Sequence, residues 1–244
     1  MISTLFHEFL TRPLFNGLVF LYNTVAIEDI GIAIILLTVI IRIILYPIFY
    51  KSFKNQIILQ RIQPEIKKIQ DDHKHNRESQ AQALLALYKL HNVNPFSGFF
   101  LLFLQLPILI ALYKVFLTGF SEVAFQGLYS FIHRPEAIHD MFIGLINISE
   151  SNILIVGLAA VAQYIQGKLS LSQRDPKKEL SPAEKIARNM VFIGPVITVI
   201  ILQSLPAAIG LYWIATSAFS IFQQMLINRT LNYGSLSGPD KKIV

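Results

Sequence analysis

The sequence predicts an all-α integral membrane protein. It has five transmembrane helices, a cytoplasmic helical hairpin between the first two, and an N-terminal amphipathic interfacial helix. Three observations lead there. Of 244 residues, 53% are hydrophobic and only 15% charged, against roughly 25% charged in an ordinary soluble domain. Five apolar stretches approach the ~20 residues needed to cross a ~30 Å hydrocarbon core. The basic residues crowd into alternate loops.

The N-terminal segment, 1–29, lacks the basic start and small-residue cleavage site of a signal peptide. Glu8 precedes Arg12, and Pro13 interrupts the apolar stretch. Phe6, Phe9, Leu10, Leu14, Leu18 and Leu21 recur at steps of three and four, which makes one apolar helical face. Such a helix lies on the membrane surface; an uncleaved extra span is the alternative.

The first span is 30–50. The segment 51–94 follows as the cytoplasmic hairpin. Ile58, Ile62, Ile66 and Ile69 share one helical face, and Ala81, Leu84, Leu85 and Tyr88 another, with the polar break His73–Asn76 between them. Asn94 and Pro95 then cap and start the second span, 95–117. An outside loop, 118–152, leads to the third span, 153–171. A cytoplasmic loop, 172–189, ends in the capping box Ser181-Pro-Ala-Glu184. The fourth span, 190–205, is short and calls for local bilayer thinning. Ser204-Leu205-Pro206 leaves almost no loop before the fifth span, 206–228, so these two are expected to form a tight hairpin. The tail is 229–244.

Orientation follows from the basic residues. The hairpin carries Lys51, Lys54, Arg61, Lys67, Lys68, Lys74, Arg77 and Lys89. From Lys168 onward the next loop on that side adds Arg174, Lys177, Lys178, Lys185 and Arg188, and the tail adds Arg229, Lys241 and Lys242. The other side has only Arg12 and Arg134. The N-terminus is therefore expected outside and the C-terminus in the cytoplasm. The net charge of +6 is a topology signal and not a nucleic-acid patch. The absence of Cys excludes disulfides, thiolate metal sites and Cys nucleophiles.

Two basic residues sit within apolar spans. Lys114 is near the outer end of the second and reaches the interface. Arg42 lies nine residues from Lys51, or about 13 Å along a helix, close to the centre of the bilayer. A charge there costs about 2.5–3.5 kcal/mol on insertion scales. No acidic residue occurs in the five spans, so Arg42 must meet water, a ligand with its own charge, or helix carbonyls. Thr38, Gln105, Gln163, Gln166, Thr198, Thr216, Ser217, Ser220, Gln223 and Gln224 are also intramembrane. The hydroxyls could serve as interhelical glue. Gln105 and Gln166 are better explained by a water-filled cavity shared with Arg42. No phosphate loop, metal-ligand spacing or nucleophile with its base is present, so neither an enzyme nor a cofactor is expected. His73 and His75 belong to a solvated turn, and His133 and His139 are isolated in the outside loop.

These residues resemble the YidC family of insertases, with its Oxa and Albino relatives, from about Pro13 to Arg229. The resemblance is carried by Ile40-Ile-Arg-Ile-Ile-Leu-Tyr-Pro47, Ile62-Gln-Pro-Glu-Ile-Lys-Lys-Ile69 and Val93-Asn-Pro95. It continues through Leu104-Gln-Leu-Pro-Ile-Leu-Ile-Ala-Leu-Tyr113, Tyr164-Ile-Gln166, and Leu205-Pro-Ala-Ala-Ile-Gly-Leu-Tyr-Trp213 with Gln223-Gln224 beyond. It implies five helices around a hydrophilic groove, open to the cytoplasm and sideways to lipid and closed outside. Arg42 takes the groove arginine position, and Gln166 and Trp213 match its neighbours. The expected substrate-binding set is Arg42, Gln105, Gln163, Gln166, Trp213 and Ser217. The implied function is insertase and chaperone in the bacterial inner membrane. The implied partners are nascent membrane proteins and the lipid bilayer, while ribosome and Sec translocon contacts stay open. The chain lacks a large outside domain, like the short Gram-positive form, and it also lacks that form's lipoprotein Cys. Two other functions remain open: a small-solute transporter, although no internal repeat is found, and an assembly factor acting on helices already inserted.

Overall fold

The fold is described from a computed structural model, which covers residues 2–118, 122–171 and 182–236. The N-terminal segment is helical throughout: α1 (Ile2–Phe6), a π-helical turn (His7–Thr11) and α2 (Arg12–Thr24). Pro13, expected to interrupt it, sits in the first turn of α2, where a missing N–H costs little. The apolar face divides. Leu18 and Leu21 are buried in the main core, whereas Phe9 is exposed. Thus one face of α2 packs on protein, and the earlier turns together with Phe20 are left to face another medium.

The helix α3 (Ile30–Ile44) begins at Asp29, whose carboxylate accepts the Ile32 N–H at 2.9 Å, the usual way of satisfying a first-turn donor. It ends at Leu45. Pro47 supplies no N–H to the turn before it, a standard cause of a helix kink. The chain bends by 68° into α4 (Tyr46–Arg61). The apolar stretch 30–50, expected as one span, is therefore divided at Leu45.

The pair α5 (Gln63–Asp72) and α6 (Arg77–Leu90) folds about a turn capped by Asn76, which accepts the Ser79 N–H at 3.0 Å. Ile58, Ile62, Ile66 and Ile69 pack there against Leu84, Leu87, Tyr88 and Val93. The α6 face differs from the expected one: Ala81 and Leu85 are exposed and Leu87 is buried. Leucines at 84, 85 and 87 leave two faces comparably apolar, and packing on α5 chooses between them.

The helix α7 (Ser97–Thr118) runs back, and α8 (Glu122–Phe125) begins the connection to the third apolar stretch. That connection contains an antiparallel pair, β1 (Met141–Phe142) and β2 (Ile146–Asn147). It is pinned to the helix starts by hydrogen bonds. Asp29 Oδ2 accepts the Ile143 N–H at 2.6 Å. The first N–H groups of α11 (Ala207–Leu236), from Ala207 and Ala208, donate to the carbonyls of Glu150 and Ile148 at 2.8 and 3.0 Å. These would otherwise be orphan donors of a helix end. The main core joins α2, α3, α7 and α11 around Leu18, Ile34, Leu112, Ile148 and Tyr212.

The helix α9 (Ile153–Leu169), capped by Asn152, lies between α10 (Pro182–Leu202) and α11. The tight α10–α11 hairpin expected from Ser204-Leu205-Pro206 does not form. Both helices pack on α9 and scarcely touch each other. Small residues and one polar bond draw α10 to α9 instead. A Cβ at Gly194 would stand 3.2 Å from Gln163, and Thr198 donates to the Gln163 carboxamide oxygen. The capping box at Ser181, the loop residues Arg174, Lys177 and Lys178, and the tail residues Lys241 and Lys242 lie outside the described residues.

Among the described residues no single helix is long and apolar enough to cross a membrane by itself; the bent pair α3–α4 meets the requirement together. Phe103–Leu117, Ile153–Leu169 and Arg188–Leu202 are shorter apolar segments. The glycines of the α9–α11 contact make a test. A Cβ at Gly210 would meet Ile155 at 2.5 Å, whereas one at Gly157 meets nothing within 4 Å. Gly210→Ala is expected to cost about 1–3 kcal/mol by overpacking, and Gly157→Ala to gain up to about 1 kcal/mol of helix propensity. Thermal unfolding of the two variants in detergent checks this; equal melting would mean that the helices can part there freely.

Candidate functional site

The polar side chains expected inside the membrane separate into three groups. Some satisfy themselves within one helix: Thr38 donates to the Ile34 carbonyl at 2.7 Å and Ser220 to that of Thr216 at 2.9 Å. Others join helices. Thr198 binds Gln163, and Gln224 donates to the Leu169 carbonyl at 3.1 Å while accepting from Ser170 at 3.1 Å. Gln105, Gln166, Thr216 and Ser217 face a cavity of about 430 Å³.

That cavity is lined by Gln105 of α7, Gln163 and Gln166 of α9, and Trp213, Thr216 and Ser217 of α11. Met190, Val191 and Pro195 of α10 complete its apolar wall. Five of the six residues expected to bind substrate are therefore together. The sixth, Arg42, occupies an adjoining hollow with Thr38, Phe49 and Tyr212. Gln105 and Thr216 line both spaces and stand between them.

Arg42 is 5% exposed. Its guanidinium lies 4.2 Å from the centroid of the Phe49 ring, a cation–π contact that the bend at Leu45 helps to aim. Its Nη1 makes no hydrogen bond, and among the described residues no carboxylate comes within ion-pairing distance. Gln223, on the same helix as Thr216, is fully buried with neither amide atom bonded. Lys114, the other cation of the apolar stretches, has its Nζ 4.9 Å from the Phe6 ring centroid.

Around this site the outer surface is apolar. Leu154, Leu158, Val161 and Ile165 of α9 and Phe192, Val196 and Ile200 of α10 are exposed. Water does not normally tolerate so continuous a patch. A family model described as 60Kd inner membrane protein matches residues 20–234. The chain belongs to the 60Kd inner membrane protein family.

Two relatives within reach of this family carry the name membrane protein insertase YidC. That of Geobacter sulfurreducens is 30% identical over 223 residues, covering 91% of this chain and 38% of its own length. That of Pelagibacter ubique is 30% identical over 235 residues, covering 93% and 40%. The chain thus spans about two fifths of the length of these relatives. A solved structure of an active YidC insertase with its first transmembrane domain resolved matches with a TM-score of 0.60 at 24% identity, covering 88% of this chain and 45% of the other. At that identity it shows the fold alone, and it agrees with the all-helical family architecture read from the sequence.

Two cavity residues of this family member escaped the sequence reading. Gln56, on α4, lines the cavity, as does Ser170 at the end of α9. One turn after Gln56, Gln60 donates to the Ser170 carbonyl at 2.7 Å. The repeat of Gln at 56 and 60 was the available signal, hidden because both fall in the segment assigned to the hairpin. A wet cavity predicts a labelling pattern. With the cysteine-free chain as background, Gln166→Cys is expected to react readily with a small polar thiol reagent in membranes. Ala33→Cys, buried in the apolar main core, is expected to react slowly, since burial suppresses the thiolate. Comparable rates at both positions would mean that the cavity is dry.

Proposed function

We propose that this protein is a membrane protein insertase and chaperone of the bacterial cytoplasmic membrane. In this reading it takes polar segments of nascent membrane proteins into the Gln-lined cavity and releases their apolar helices into lipid. The observation that carries the reading is a buried, carboxylate-free Arg42 beside an amide-lined cavity, within a body whose exterior is apolar. The names of the similar proteins support it.

The proposed topology has five spans, with the N-terminal helix outside, the α5–α6 hairpin and the tail in the cytoplasm, and the short apolar helices crossing a locally thinned bilayer. Within it, Gln105, Gln163, Gln166 and Ser217 hydrate the substrate's polar segment and Trp213 contacts it. Arg42 supplies the attracting charge. The cavity shortens the dry path, and burial of the incoming helix drives release at about 0.8 kcal/mol per CH₂ group. No energy source of the protein's own is needed. The hairpin is joined to the rest through its ends, and its role is to receive the substrate.

Orientation is testable directly. His75→Cys, at the exposed hairpin turn, should react with an impermeant thiol reagent only from the cytoplasmic side, and Ser130→Cys only from outside. Reaction of both from one side would overturn the five-span arrangement.

Insertion itself is tested with purified protein in liposomes and one small substrate, its acidic residues present or neutralised. Arg42→Glu and Arg42→Ala are expected to lose insertion of the acidic substrate, and to affect the neutralised one least. Arg42→Lys keeps the charge but gives up the stack on Phe49, so it should fall between wild type and Ala. If Arg42→Glu inserts the acidic substrate as well as wild type does, attraction by Arg42 is wrong. A protein that moves no substrate yet promotes folding of pre-inserted helices would be an assembly factor.

A further inference from the structure

A larger cavity is remote from the one just described. It measures about 820 Å³ and lies between the N-terminal helical segment, the end of α7 and α8. His7, Glu8, Thr11, Arg12 and Phe15 all line it from one side. The π-turn His7–Thr11 sits within that wall; such wide turns recur at functional sites because they re-aim side chains. Lys114 lines the cavity from α7.

The cavity has two chemical halves. One is cationic. Arg12 commits its Nε to the Gly127 carbonyl at 3.0 Å and Nη1 to Glu8 at 2.9 Å, two of the five N–H donors a guanidinium owns. Lys114 adds a second permanent cation, and the buried Thr11 hydroxyl has no hydrogen-bond partner. Glu8 is the opposing charge; the hydrogen bond from Arg12, and then His7, hold its carboxyl below the usual range. The other half is apolar: Phe15 and Val115 are buried, and Leu117 and Val123 are exposed at the rim. Phe9 and Leu5 of the same N-terminal segment are also exposed.

We propose that this cavity binds one anionic phospholipid, its phosphate held at Lys114, Arg12 and the Thr11 hydroxyl and an acyl chain running inward from Lys114 along the exposed Ile110 and Phe103 of α7. The proposal rests on the reading that this end of the molecule lies at the outer membrane–water boundary. Charge-assisted bonds to phosphate supply the polar half of the recognition, and a juxtaposed basic and apolar lining suits a lipid headgroup with its tail. A free anion would use the first half and leave the second idle. Bound there, the lipid would fasten the N-terminal helix to α7.

The experiment uses the purified full chain in detergent and native mass spectrometry, with dioleoyl phosphatidylglycerol, dioleoyl phosphatidylcholine and inorganic phosphate as probes. One phosphatidylglycerol is expected to be retained, in preference to phosphatidylcholine. Lys114→Gln should weaken retention several-fold. Val123→Glu, a surface change on α8, should do the same by repulsion at the rim, and Lys185→Gln should change nothing. Equal retention of the two lipids overturns the proposal. So does phosphate competing as well as the lipid, or full retention in both Lys114→Gln and Val123→Glu. Retention is read without any substrate, so it fails or succeeds separately from insertion; labelling of Ser130→Cys checks the assumed orientation by itself.

Discussion

A positive charge buried without a carboxylate is the constraint around which the rest is arranged. Arg42 is a side chain that cannot shed its proton in a protein, and its guanidinium is met by the face of Phe49 and by polar neighbours shared with the cavity. The contact depends on the break at Leu45, which turns α4 away from the axis of α3. That same bend carries α4 to the cavity wall, where Gln56 joins the amides of α7 and α9. One interrupted helix thus accommodates the charge and helps to enclose the space beside it.

The two ends of the body are built differently. At the end carrying the β1–β2 pair, backbone donors of α11 and the carboxylate of Asp29 are tied to the connection that holds that pair, and Phe142 packs against Gly31. These are short bonds between segments far apart in the chain, and they fix the helix starts. At the other end side chains make the links: Gln60 and Gln224 bind Ser170, Gln224 also binds Leu169, and Ser52 binds Ser97, beside an apolar cluster of Phe49, Phe53 and Ile227.

The helix α9 is the organiser of the cavity. It touches α10 where Val191 packs on Gly167 and Gln163 on Gly194, and α11 where Ile155 packs on Gly210, so at each contact one helix offers a glycine to the other's side chain. The polar residues that remain at these contacts either bond across, as Thr198 and Gln163 do, or turn into the open space, as Gln166 does.

Much of this was legible in one chain. The composition, the spacing of apolar stretches, the capping residues Asn76 and Asn152, and the Gln and Arg residues in apolar surroundings are local properties, and local rules read them. The sequence by itself determined a helical membrane-family fold and brought forward six residues, five of which share one cavity. Only the tertiary structure decided the break at Leu45, the face α6 buries, the placing of α9 between α10 and α11, and the separation of Arg42 into its own hollow. Those outcomes follow from competition between faces or partners that look alike in sequence, such as Leu85 against Leu87. Such competition is resolved only when a distant helix offers the better fit.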